Sequence, residues 1–162
     1  SGAVNGALSI MLGGPKKKLL QINNLMQSYA KNIVYIGPSG HGQLTKMVNQ
    51  LCIASLIQGL SEGIALGNKA NLNMDKVAQA ISGGAAQSWQ MDNRFKSMVN
   101  GDFDFGFAVD LMIKDLKIAL NQSNKLAIKM PSSKSVLLNY QKLSSQGDGR
   151  LDTSSLIKLL RN

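Results

Sequence analysis

The sequence predicts a mainly α protein: an all-helical C-terminal domain built around one long helix, preceded by a small strand–helix–strand unit. Three observations carry that expectation. From Gln43 to about Lys69, nothing interrupts a helical pattern except Gly59, Gly63 and Gly67. Two short apolar runs suited to strands lie before residue 38, and none follows Ile36. Four or five further helix-length stretches then follow, separated by turn residues. The chain has 162 residues and 44% hydrophobic content, so it is far from a disordered composition. Aromatic residues are sparse, and eight Met with many Leu, Ile and Ala fill the interior.

Taken in order, "ALSIML" (7–12) reads as a strand closed by Gly13-Gly14-Pro15. Residues 15–30 read as a helix opened by Pro15, with Leu19, Leu20, Ile22, Leu25, Met26 and Tyr29 spaced for one apolar face. "NIVYIG" (32–37) reads as a second strand stopped by Gly37-Pro38. Two strands alone are marginal in water, so they read as the edge of a larger sheet. The long helix from Gln43 is apolar almost all round, which places it in a core. Its three glycines, spaced four apart, predict close packing against another helix.

Beyond it, 74–82 reads as a helix capped by Asn73, and 86–99 as another. "GDFDFGF" (101–107) is a loop, and 108–126 is a helix. A further helix follows Pro131, and Asp152 caps the last one.

Net charge is +9, from 18 basic and 9 acidic residues. The lysines are scattered, and the run Lys16-Lys17-Lys18 reads as a solvated helix face rather than a nucleic-acid patch. No aromatic–basic interleaving supports single-strand binding. Cys52 is the single cysteine, so no disulfide forms within the chain, and it reads as a small core residue. A cytoplasmic protein is expected, with no membrane span and no signal peptide. The lone His41 is read as a solvent-facing turn residue, and no metal site is expected.

Gly37, Gly40 and Gly42 invite comparison with phosphate-binding loops. Thr45 stands where the dinucleotide fingerprint needs its third glycine, and no Gly-Lys-Ser/Thr closes a Walker loop. A tight strand-to-helix turn explains these glycines. Just after them, Lys46, Asn49 and Gln50 fall at positions i, i+3 and i+4 of the long helix and share a face. A snorkelling lysine with two ordinary polar neighbours is the plain reading. The electrostatics favour chemistry. A cation near a helix N-terminus opposes the macrodipole, and burial disfavours its charge. Both effects lower a lysine from ~10.4 toward neutrality, where it could exchange a proton with an alcohol. Lys114 and Asp115 form a second polar break in an apolar helix. Asp110 and Lys114 fit an ordinary i, i+4 pair, while Asp115, flanked by Ile113 and Leu116, fits an exposed face less well.

These residues resemble the C-terminal part of the β-hydroxyacid dehydrogenases, the family of 3-hydroxyisobutyrate dehydrogenase, and more distantly 6-phosphogluconate dehydrogenase. The similarity runs through "GALSIMLGG" (6–14), "IGPSGHGQLTKMVNQ" (36–50), "EGIALGNKA" (62–70) and "GAAQSW" (84–89). It continues in "GDFDFGFAVDLMIKDLKIAL" (101–120) and "GDGRLDTSSL" (147–156). The resemblance implies that residues 1–37 are the C-terminal remnant of an NAD(P)-binding Rossmann domain, and that 38–162 form an all-helical catalytic and dimerisation domain.

It implies Lys46 as the catalytic general acid/base. Asn49, Gln50, Phe107 and Asp115 would be substrate-binding, and Lys114 cofactor-binding. Many members have Asn where Gln50 stands. The implied cofactor is NAD or NADP, whose cationic nicotinamide would further disfavour a charged lysine. The implied reaction is hydride transfer between nicotinamide and a small 3-hydroxy acid or semialdehyde. Substrate candidates are 3-hydroxyisobutyrate, tartronate semialdehyde, glyoxylate and succinic semialdehyde. The family's Gly-rich cofactor loop and its Ser-Gly-Gly substrate motif would lie before Ser1. The chain is therefore expected to be a fragment or truncated product, inactive alone, and a homodimer or higher homo-oligomer when complete. A non-enzymatic helical oligomerisation or basic nucleic-acid-binding module on the same scaffold is the alternative, motivated by the +9 charge.

Overall fold

The computed structural model describes residues 4–161 apart from the side chain of Leu20. The first three residues of the expected 1–37 unit lie outside the described residues. The chain forms two compact units, one up to Asn49 and one from Gln50.

In the first unit, β1 (Leu8–Gly13) and β2 (Ala30–Gly37) pair in parallel, with Ile10 opposite Ile33 and Leu12 opposite Tyr35. Parallel neighbours need a crossover, and α1 (Lys16–Gln27) supplies it. Pro15 stands at its N-cap, where a missing N–H costs nothing. The expected apolar face of α1 is only partly used. Met26 is buried and Leu19 and Tyr29 are half-buried, but Ile22 and Leu25 are exposed. Val34, Tyr35 and Ile36 of β2 are exposed as well, because two strands offer too little surface to cover them.

The glycine turn then leads into α2 (His41–Lys69). A Cβ at Gly13 would stand 2.6 Å from the Pro38 carbonyl oxygen, and one at Gly42 would collide with the Met11 carbonyl. Close backbone approach of β1 to the start of α2 thus explains this glycine pair, with no phosphate needed. His41 opens the helix and is exposed, as expected.

In the second unit, α2 continues beside α3 (Met74–Ile81), α4 (Trp89–Asn100), α5 (Val109–Lys125) and α6 (Pro131–Leu143). The last described helix, Thr153–Leu160, is a 3₁₀ helix. Asn73 caps α3 by accepting from the Lys76 N–H at 3.0 Å. Ser88 caps α4 by accepting from Met91, so that helix starts three residues later than expected. The interior has two clusters. Ala54, Ile57, Met112, Leu116 and Tyr140 anchor one, and Ile64, Met91, Phe95 and Met98 anchor the other. Leu156 and Ile157 of the 3₁₀ helix contribute one to each, so the chain terminus joins the two halves of the unit. None of the described helices is long and apolar enough to cross a membrane.

The long helix departs from expectation. Ala54, Ile57, Ser61 and Ile64 are buried, but Val48, Cys52, Leu56 and Leu66 are exposed. Cys52 is therefore not a core residue. A Cβ added at Gly59 or Gly63 would meet nothing within 4 Å. These two do not serve close helix packing; they line an apolar groove of about 720 Å³ facing Met74, Val77 and Met91. Only Gly67 is tightly approached, by the Met74 sulfur.

Candidate active site

Six residues were singled out from the sequence. Lys46, Asn49 and Gln50 lie in the first three turns of α2, and the helix is continuous through them. Lys46 is exposed rather than buried, which corrects one of the two grounds given for it. Its place near the positive end of α2 remains. Asn49 is half-buried and Gln50 is 2% exposed.

Gln50 reaches across to α5. Its Nε2 donates to Asp115 Oδ2 at 2.8 Å, between residues 65 apart in sequence. A carboxylate only accepts, so this contact fixes which end of the carboxamide faces it. The other carboxylate oxygen, Oδ1, takes the Lys114 ammonium at 3.1 Å. Gln50, Lys114 and Asp115 therefore form one cluster. The Asp115 side chain is 16% exposed and the Lys114 side chain 61%, so the cluster opens toward solvent at its cationic end. The expected Asp110–Lys114 pair is replaced: Lys114 takes Asp115, and Asp110 accepts from the Ser144 hydroxyl at 2.6 Å. The start of α5 thereby ties to the segment Ser144–Asp148 that follows α6.

Phe107 is held differently. It is half-buried and packs against the cluster around Ile57 and Met112. Its N–H donates to Asp152 Oδ2 at 2.8 Å, and its carbonyl accepts from the Thr153 N–H at 2.9 Å. Asp152 does cap the last helix, accepting from the Ser154 N–H at 3.1 Å. It also takes Arg94 Nε at 3.0 Å and the Ser154 hydroxyl at 2.6 Å. Sequence reasoning missed Arg94 and this wider role of Asp152. The available signal was Gly106, next to an aromatic and far from any expected hairpin.

Tyr140, from α6, donates to the Thr153 carbonyl at 3.3 Å and braces the same segment. Burial, and then the nearby Asp152 charge, push its phenol well above the usual range. Among the described residues, no group of three or more His, Cys, Asp or Glu side chains could hold a metal ion.

The chain thus joins a β-α-β crossover, in sequence order, to a helical unit through one long helix. Comparison with known proteins gives the particular family. The model of the NAD-binding domain of NADP-dependent 3-hydroxyisobutyrate dehydrogenase matches residues 40–160. That of the NAD-binding domain of 6-phosphogluconate dehydrogenase matches residues 1–37. The chain belongs to the 3-hydroxyisobutyrate dehydrogenase family.

It is 45% identical over 160 residues to an uncharacterized oxidoreductase of Shewanella frigidimarina, covering 99% of this chain and 55% of that protein. A probable mitochondrial 3-hydroxyisobutyrate dehydrogenase-like protein of Arabidopsis thaliana is 37% identical, over 98% of this chain and 47% of that protein. The Mycobacterium tuberculosis 3-hydroxyisobutyrate dehydrogenase, solved with L-serine, superposes with a TM-score of 0.92 at 26% identity, over 99% of this chain and 57% of that one. The chain thus spans about half the length of the curated relatives it matches.

Proposed function

We propose that this chain is the catalytic part of an NAD(P)-dependent dehydrogenase acting on a small 3-hydroxy acid or its semialdehyde. The observation that carries the reading is the Gln50–Asp115 hydrogen bond, directly after Lys46 and Asn49 on the same helix. A buried carboxamide with one end committed to a carboxylate is a pre-oriented binding group rather than a solvated polar residue. With Nε2 held by Asp115, the Gln50 carboxamide is fixed in one orientation and would orient the substrate. Asn49, one turn after Lys46, would hold a second substrate oxygen. Phe107 would supply an apolar wall against the carbon skeleton.

Lys46 Nζ would take the hydroxyl proton during oxidation and return it during reduction. When bound, NAD or NADP accepts a hydride from the carbinol carbon or returns it. The donor set fits such a group: Lys114 presents an exposed ammonium, steadied by Asp115, suited to a phosphate or ribose oxygen.

Replacing Lys46 by Ala in the enzyme that carries this chain with its dinucleotide-binding part should lower turnover by about 10²–10⁴-fold, the usual worth of general acid–base catalysis. The melting temperature should change little, since Lys46 is exposed and interactions at the surface are worth little. Turnover near wild type across a panel of hydroxy acids and both cofactors would falsify the assignment.

The same enzyme is proposed to be a cytoplasmic homodimer or higher homo-oligomer. Exposed Val48, Leu56 and Leu66 along α2 support that, since such a run is better covered than wet. A monomer in sedimentation at micromolar concentration would overturn it.

A further inference from the structure

The loop 101–107 has no regular structure, yet both polar backbone groups of Phe107 are held by residues 152 and 153. Ala108 bridges Asp152 in antiparallel fashion, the Asp152 N–H donates to the Phe103 carbonyl at 2.9 Å, and the Val109 N–H donates to Leu151 at 2.9 Å. Asp152 lies at the centre of this zipper and is fully buried. Its two oxygens accept four hydrogen bonds, from Arg94, Phe107 and twice from Ser154.

Gly106 makes the arrangement possible. Its φ is +76°, and a Cβ there would overlap the Asp152 carboxylate. Only glycine lets the carboxylate reach the next N–H. Outside, Arg94 lies over the rings of Trp89 and Phe105, 5.1 and 4.9 Å from their centroids. The guanidinium that neutralises Asp152 is thereby pinned by one aromatic of α4 and one of the loop itself.

We infer that Asp152 is a positioning residue for the reaction proposed above: by holding the Phe107 N–H, and itself held by Arg94, it sets where the Phe107 ring meets the hydroxy acid. The inference rests on the assignment of Phe107 to the substrate site. It assigns a purpose to the Gly106-Phe107 dipeptide and to Arg94 on α4.

A structural role alone would weaken everything at once, so the test separates effects. In the complete enzyme, Asp152→Asn should raise KM for the hydroxy acid about tenfold, as expected when a contact is misplaced by a fraction of an ångström. KM for the dinucleotide should not move. In a Phe107→Ala background, which itself raises the hydroxy-acid KM, Asp152→Asn should add nothing further. Arg94→Lys keeps the charge at a partly exposed position but loses the Nε geometry, and should give a weaker copy of the same pattern. It carries the test if Asp152→Asn does not fold. Effects that add to Phe107→Ala, or that strike both KM values equally, overturn the positioning role and leave Phe107's assignment intact. A Phe107→Ala enzyme with unchanged hydroxy-acid KM overturns that assignment and the inference together, while leaving Lys46 to its own test.

Discussion

Two carboxylates of the helical unit, Asp115 and Asp152, each take an N–H donor on one oxygen and a cation on the other. Their surroundings differ. Asp152 is sealed, its cation is a stacked arginine whose side chain is 17% exposed, and a backbone N–H depends on it. Asp115 is at the edge of solvent, its cation is a largely exposed lysine, and its donor is a side-chain carboxamide rather than the backbone. A sealed, fully satisfied carboxylate holds structure, because losing a partner leaves a buried charge unpaired. An edge carboxylate can exchange partners at little cost, which is what a binding site needs.

That contrast can be broken in several places. The largest effect should come from Asp152→Ala, which strips Arg94 and the Phe107 N–H of their acceptor at once. Urea unfolding should show a loss of about 3–5 kcal/mol. A loss below 1 kcal/mol would mean that water replaces the carboxylate and that the seal is not tight. Asp115→Asn should sharpen the contrast from the other side. It should cost less than about 1 kcal/mol in stability yet lower turnover about tenfold, because Asn offers one neutral acceptor oxygen where Gln50 and Lys114 each had a carboxylate oxygen.

Tyr140→Phe should cost about 1 kcal/mol near neutral pH, read from thermal or urea melts, since it removes one buried hydrogen bond. Its pH dependence has a definite sign. The folded phenol is raised above its unfolded value of ~10, so its neutral form adds stability that is fully present below that value and lost as pH rises beyond it. Wild type should therefore lose stability faster than Tyr140→Phe above about pH 10. The smallest effect belongs to Lys114→Ala. Stability should stay within about 0.5 kcal/mol, because the ammonium is largely exposed. Only KM for the dinucleotide should rise; an unchanged value would remove Lys114 from the cofactor site.

Much of this was legible beforehand for local reasons. Asn73 before an amphipathic run, Pro131 at a helix start and Asp152 ahead of "TSSL" are signals read within four residues, and each marks a real boundary. Lys46, Asn49 and Gln50 could be grouped because helix periodicity alone places them. Other points were misread for one common reason. Cys52, Leu56 and the glycines at 59 and 63 lie on an apolar face, and apolar pattern does not say what covers it. Asp110 and Lys114 have ideal spacing for an ion pair, but each found a better partner through the tertiary fold.

By itself, then, the sequence determined the elements, their order, their caps and the polar face of α2, because those follow from turn chemistry and a 3.6-residue repeat acting over a few neighbours. Tertiary structure alone decided that Gln50 faces Asp115, that Arg94 and Phe107 share Asp152, and that Gly106 must be glycine. Those contacts join residues 65, 58 and 45 positions apart. Whether a carboxylate is sealed or open depends on which distant donors reach it, and no local pattern records that distance.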